Sequence, residues 1–222
     1  RFYNQVDMVE DADGETRYFA LNIGSGYRAH PLDRAIDEEF YSIRDFKPYT
    51  PMPSNDPTYD NPVVRSQLID ITSKPVIPVS SSSPGWRLSM NLSEGEKVLG
   101  KSLTINGVVY FSSFAPGGSA NSCTAGKGSN RLYDINLTWG RPVIDGEVIA
   151  ESADYDLSDF ATELQFGGIA SEVYLMSETE TITNPDGSTK ENSVFRVCAS
   201  LVCPSDQLPL PPSRTYWTEE GL

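Results

Sequence analysis

The sequence predicts an all-β fold. Short alternating runs of strand-forming residues recur along the 222 residues, and 17 Gly and 16 Pro punctuate them with turns. The runs also fall into three groups separated by several tens of residues, without a strict repeat. This pattern fits four-stranded propeller blades, whose repeats run to about 40–50 residues, or a β-sandwich. A hydrophobic content of 38%, with eleven Tyr, nine Phe and three Trp, supplies a sizeable core for one domain or two small ones.

In the first group, residues 2–10 alternate weakly, Asp11-Ala12-Asp13-Gly14 supplies a turn, and residues 17–24 return as the second strand of a hairpin. Residues 38–45 form a third strand. Prolines at 48, 51, 53, 57 and 62 mark an irregular surface insertion over about 46–80. Within it, residues 62–72 are the best helix candidate, with Pro62 near the start and apolar residues at 64, 68 and 69. The β-branched Val63, Val64, Ile69 and Ile71 weigh against that helix. Residues 80–85 are a polar linker.

The second group comprises strands at 86–90, 97–105, 108–114 and 131–138. Asn106-Gly107 between two alternating apolar runs is the strongest hairpin signal in the chain. Residues 117–128 form a Gly/Ser loop carrying Cys123, and the acidic tract 147–164 holds one short helical turn. The third group is 171–183 and 193–203, joined by the turn Pro185-Asp186-Gly187-Ser188. A loop at 204–212 and a last short strand at 215–217 complete the chain.

Charge excludes some functions. There are 17 basic against 31 acidic residues, a net charge of −14. Nucleic-acid affinity rests on Lys and Arg neutralising phosphates, so no nucleic-acid partner is expected. No run of 18 apolar residues occurs, so no membrane span is expected. The chain opens on Arg1 without a signal-peptide pattern and is expected to be a mature or internal piece of a longer protein.

Residues 20–33, with Gly24, Ser25, Gly26 and Pro31 in the loop, lead into Glu39-Phe40-Tyr41-Ser42-Ile43-Arg44-Asp45. This stretch closely resembles a signature of the PilY-type proteins, the large tip-associated adhesins and biogenesis factors of bacterial type IV pili. Other segments are similar to that family in the same order. Residues 85–90 then 95–100 place a Trp-bearing strand before Gly-Glu-Lys-Val-Leu. Residues 105–116 resemble the hairpin before a Cys-containing loop, and 128–136 the strand after it. Residues 167–174 resemble the start of the final blade, and 214–217 the tail.

The resemblance implies that residues 1–222 are the C-terminal portion of a larger β-propeller, a partial propeller of roughly three closing blades. It implies a non-enzymatic factor in pilus biogenesis and tip adhesion that supports pilus extension and surface attachment. The implied partners are minor pilins, a host or abiotic surface, and the remaining blades of the parent protein. The implied location is the bacterial cell surface at the pilus tip, reached through the periplasm. The family's calcium loop, DxDxDGxxD, has no match here. Residues 11–16 come nearest but lack the third liganding position and a closing carboxylate, so they read as a turn. No cofactor is expected in this chain, and calcium would belong elsewhere in the parent.

Three cysteines leave a free thiol, one bridge with a spare, or a partner elsewhere. An extracytoplasmic protein permits disulfides. Cys198 and Cys203 are five apart along what reads as one strand, roughly 16 Å if fully extended. A bridge needs Cα atoms within about 7 Å, so these two pair only if the chain turns between them. The expected structural disulfide joins Cys123 to Cys203.

No catalytic, cofactor-binding or metal-ligating residue is expected. His30 is the only histidine, whereas zinc sites and nucleophilic triads normally need imidazole in company. Arg28 is expected to pair with Asp33 or Asp45. Residues 115–128 lack the spacing of a phosphate loop and precede a strand. The sequons at Asn91 and Asn136 read as chance matches. The pairs Glu38/Glu39, Asp154/Asp156 and Glu219/Glu220 read as solvated loop carboxylates. Two rival functions are a quinoprotein-like propeller dehydrogenase fragment, which would need a calcium ligand set and a catalytic Asp, and a carbohydrate-binding β-sandwich module.

Overall fold

A computed structural model describes residues 1–47, 62–75, 77–117, 126–183 and 187–204. The chain opens with the hairpin β1 (Asp7–Asp13) and β2 (Thr16–Gly24), and Gly14 at φ +63° takes the turn that L side chains resist. Strand β1 thus continues through the segment expected as a turn. Strand β3 (Glu39–Asp45) pairs with β2, and β5 (Gly85–Ser89) with β3, all antiparallel. The short β4 (Ile69–Asp70) adds to β5 in parallel. The first sheet therefore runs β1-β2-β3-β5-β4.

The helix expected at 62–72 does not form. A single 3₁₀ turn, Arg65–Gln67, precedes β4. Ile69 lies opposite Trp86, and Ile71 is fully buried. β-Branched side chains lose rotamer freedom in a helix and pack well against a sheet, so burial decides for the extended form.

The second sheet is built on the long strands β8 (Val108–Gly117) and β9 (Gly126–Asn136). The expected strand at 97–105 is interrupted: β6 (Lys97–Val98) and β7 (Leu103–Ile105) pair with two separate stretches of β8. Asn106 (φ +51°) and Gly107 (φ +74°) close the β7–β8 hairpin with both turn residues left-handed, as the Asn-Gly signal requires. A small hairpin, β10 (Val143–Ile144) with β11 (Glu147–Val148), follows. The short helical turn of the acidic tract is the 3₁₀ turn Leu157–Phe160, capped by the Asp156 carboxylate, which accepts from the Ser158 N–H. Strand β12 (Ala161–Leu164) then pairs with β9. The third element is the hairpin β13 (Val173–Thr183) with β14 (Thr189–Ala199).

These elements stack face to face. Tyr18, Ala20, Phe40, Trp86 and Leu88 of the first sheet share one core with Val109, Phe111, Tyr133 and Ile135 of the second. The opposite face of the second sheet, through Val108, Tyr110 and Leu132, packs with Leu164, Val173, Val197 and Ala199. With both faces covered, β8 is buried at every residue from Val108 to Pro116. The architecture is all-β with several sheets, and among the described residues none closes on itself.

The cysteine pairing differs from expectation. Cys198 and Cys203 are bridged, with Cα atoms 4.1 Å apart. The chain reverses between them at Ser200 (φ +57°), and Ala199 and Val202 exchange backbone hydrogen bonds of 2.9 and 3.1 Å. The extended spacing assumed for this segment does not apply, and Cys203 is not available to Cys123. Cys123, Glu219, Glu220 and the strand expected at 215–217 lie outside the described residues.

Candidate functional site

The loop joining β2 to β3 is held from beneath by close backbone approach and buried charge. A Cβ on Gly24 would sit 2.4 Å from the Val98 Cβ, and one on Gly26 2.4 Å from the Val98 carbonyl oxygen, so only glycine fits at either position. The Val98 N–H donates to the Ser25 carbonyl at 3.0 Å, tying the loop to β6. The Ser25 hydroxyl donates to Glu38 Oε2 at 2.5 Å and accepts from the Glu39 N–H at 2.9 Å.

Lys97 is the centre of this support. It is 1% exposed, and its Nζ donates to the carbonyls of Pro31 (3.0 Å), Asp33 (2.5 Å) and Gly95 (2.7 Å). Burial lowers its pKa from the ordinary lysine value. Three acceptors match the three N–H bonds of an ammonium, which is what makes the buried charge tolerable. Arg34 continues the pattern, donating to the carbonyls of Pro116 (2.8 Å) and Gly117 (3.0 Å) and pairing with Glu94 at 3.2 Å.

On this base the loop presents Tyr27, Ala29, His30, Pro31 and Leu32 around an open depression. Leu32 is 70% exposed. Tyr27 is stacked on Tyr3 at 6.1 Å, lies under the Arg1 guanidinium at 4.1 Å, and meets the His30 ring at 4.7 Å. A loop fixed at its base, with Leu32, Ile36 and the His30 ring exposed, suits contact with another macromolecule.

The residues singled out from the sequence fall as follows. His30 is exposed and packs on Tyr27. Arg28 donates to the Leu99 carbonyl at 3.3 Å, in the interruption between β6 and β7, and not to Asp33 or Asp45. Asp11 stands on β1, where its Oδ2 accepts from the hydroxyls of Tyr18 (2.8 Å) and Thr138 (3.0 Å). Asp154 pairs with Lys74 at 3.4 Å. Among the described residues no group of three or more His, Cys, Asp or Glu is placed to hold a metal ion.

Glu38 and Glu39 are not solvated. They are 4% and 6% exposed. Glu39 accepts from Arg65 Nε (2.6 Å) and Nη2 (2.5 Å), Arg87 Nη1 (2.7 Å) and the Tyr41 hydroxyl (2.6 Å). Burial raises its pKa, but the hydrogen bonds from Arg65 and Tyr41 and the charges of Arg87 and Arg65 outweigh it and hold the carboxyl at about 2. Arg87 also reaches Asp70 at 2.6 Å, so one ion network spans β3, β4, β5 and the 3₁₀ turn. The sequence reading missed a third buried glutamate, Glu96. It is fully buried and accepts from Ser113 (2.6 Å) and Tyr133 (2.8 Å), with Arg131 at 3.1 Å.

Fold and site together define an all-β scaffold of stacked sheets that carries a fixed, exposed loop over a buried polar base. No family model matches the chain, and no curated protein matches its sequence. Among solved structures the chain is similar to the crystal structure of the Pseudomonas aeruginosa PilY1 C-terminal domain, with a TM-score of 0.52 and 17% identity. The alignment covers 95% of this chain and 45% of that one, so the chain spans less than half the length of that domain. At this identity the likeness is one of fold. No helix among the described residues is long and apolar enough to cross a membrane.

Proposed function

We propose that this chain is a non-enzymatic module of a type IV pilus tip-associated protein, part of a larger β-propeller that supports pilus biogenesis and surface attachment. The observation that carries the reading is the fold likeness to the PilY1 C-terminal domain over 95% of the chain. Two features support it. Taking β6 and β7 as one interrupted edge, the second sheet is a four-stranded antiparallel sheet covered on both faces, the build of a propeller blade. The outer face of the first sheet carries Leu21, Ile23, Tyr41 and Ile43, all half-buried, beside Met8 at 63% exposed. Such a face suits packing against a further blade of the parent.

In this reading the partners are minor pilins at the tip, a host or abiotic surface, and the remaining blades, and the location is the bacterial cell surface. The 27–36 loop is the contact element, and any calcium belongs elsewhere in the parent. Deleting these residues from the parent gene is expected to abolish or reduce surface piliation, twitching and adhesion. Gly26→Val, which drives a side chain into the Val98 carbonyl, should mimic the deletion. A deletion strain with normal piliation and twitching would refute the proposal.

A further inference from the structure

A second concavity, of about 150 Å3, lies away from the loop, where the segment before β5, the turn after β9 and the acidic tract meet. One wall is Pro75 and Pro78, and Trp139 and Tyr155 supply aromatic surface. Trp139 is 41% exposed although it sits on a fixed turn. Its backbone N–H donates to Asn136 Oδ1 at 2.8 Å, and the Gly140 N–H donates to the Asn136 carbonyl at 2.9 Å. The turn fixes the backbone at Trp139, Arg141 lies over its ring, and the surface left exposed is open to a ligand.

The polar groups of the pocket are equally fixed. Arg141 lies 5.4 Å from the centroid of the Trp139 ring and pairs with Glu151 at 2.9 Å. Lys74 Nζ donates to the Ser152 carbonyl at 3.1 Å and pairs with Asp154 at 3.4 Å. Two cations and two carboxylates cancel, so this site is locally neutral in a chain of net charge −14. It therefore selects neither a free anion nor a free cation. It offers apolar aromatic surface, N–H donors from Lys74 and Arg141, and a carboxylate acceptor in Glu151, all within one small volume.

We propose that this pocket binds a neutral hexopyranose unit of a surface glycan. A pyranose ring has an apolar C–H face that covers an aromatic side chain, and hydroxyls that both donate and accept, matching Glu151 on one side and Lys74 and Arg141 on the other. A cavity of this volume takes a benzene-sized ring, so a hexopyranose, which is larger, sits with part of its ring outside the pocket. The pocket is open to solvent, so the rest of a glycan extends outward. The inference goes beyond the pilus reading and stands or falls without it.

The test is saturation-transfer NMR and calorimetry on the full 222-residue chain with the methyl pyranosides of glucose, galactose, mannose and N-acetylglucosamine. At least one is expected to bind with a Kd on the order of 1 mM. Trp139→Ala should weaken that binding about tenfold or more while the thermal transition stays cooperative. The exposed Glu151→Ala serves as a second variant should Trp139→Ala fail to fold, and should weaken binding several-fold. Absence of transfer from every pyranoside would overturn the proposal, as would binding undiminished in the folded variants. Binding of anionic sugars alone, or of a proline-rich peptide in place of sugars, would also overturn it.

Discussion

The indole N–H of Trp86, on β5, donates to the carbonyl of Leu137, just beyond β9, at 2.9 Å, so a buried hydrogen bond joins the two large sheets. From Trp86 the rings run in a stack through the shared core. Phe40 lies 6.1 Å away, Phe111 is 3.9 Å from Phe40, and Tyr133 is 4.8 Å from Phe111. The far end is also tied, because the Tyr133 hydroxyl donates to Glu96. Both ends of an aromatic core are thus fixed by satisfied polar groups, which sets the spacing and register of the sheets.

Trp86→Ala is therefore expected to cost about 3–5 kcal/mol, the usual loss for emptying a buried aromatic site. Trp86→Phe keeps the stack but leaves the Leu137 carbonyl unpaired, at a cost of about 1–3 kcal/mol. Urea denaturation of both variants measures this. A Trp86→Phe protein as stable as the parent would show that the inter-sheet hydrogen bond carries no weight.

Glu39 predicts an acid limit. Its pKa is held at about 2, below the ordinary glutamate value of 4.5. Above pH 4.5 the carboxylate is ionised in both folded and unfolded chains, and its network contributes fully. Between 4.5 and 2 the unfolded chain takes up the proton first, so stability falls as pH falls. Glu39→Gln should cost about 3 kcal/mol at pH 7, removing the carboxylate that Arg65 and Arg87 share and leaving Arg87 with Asp70, and close to nothing at pH 2. Denaturation midpoints of the two proteins across that range should converge.

How much of this was legible depends on how far each signal reaches along the chain. The Asn106-Gly107 hairpin, β2, β3 and the 3₁₀ turn Leu157–Phe160 were legible, because each rests on residues adjacent in sequence. Asp145-Gly146 closes β10 and β11 with the same left-handed pair, φ +52° and +79°, but strands of two residues show no alternation to mark it. The burial of Glu38 and Glu39 was not legible. The cations that neutralise Glu39 come from Arg65 and Arg87, 26 and 48 residues away. Lys97 and Glu96 are hidden for a similar reason. Lys97 is held by loop carbonyls, two of them more than 60 residues away. Glu96 is held by the hydroxyls of Ser113 and Tyr133 and the charge of Arg131, 17 to 37 residues on. The Cys198–Cys203 bridge rests on a turn at Ser200, where neither glycine nor proline announces a reversal.

Asp134 should make the protein less stable as pH rises. It sits on β9 opposite Tyr110, and its Oδ1 is buried without a hydrogen-bond partner among the described residues. Burial pushes its pKa up from 3.8 to about 7. Between those values the folded chain holds a proton that the unfolded chain has released. Stability therefore falls as pH rises through this window, and the full cost is present above pH 7. Asp134→Asn is expected to stabilise the protein by about 1–3 kcal/mol at pH 8 and by little at pH 4. A variant equally stable or less stable at pH 8 would rule out an ionised, uncompensated Asp134.

The bridge between Cys198 and Cys203 closes a short loop at the end of β14. Closing so few residues removes little entropy from the unfolded chain, and loop-closure arithmetic gives about 2 kcal/mol. Replacing both cysteines by serine should lower stability by about that amount. The loss should be felt mainly where the turn is anchored, at the Ser171 and Ser200 hydrogen bonds of 3.0 and 2.6 Å. The same pairing leaves Cys123 with no cysteine to join within the chain. Alkylation of the unreduced, denatured protein should then label Cys123 alone, and non-reducing peptide mapping should recover Cys198 linked to Cys203. A peptide joining Cys123 to Cys203 would show that the reversal at Ser200 does not bring the two neighbouring cysteines together.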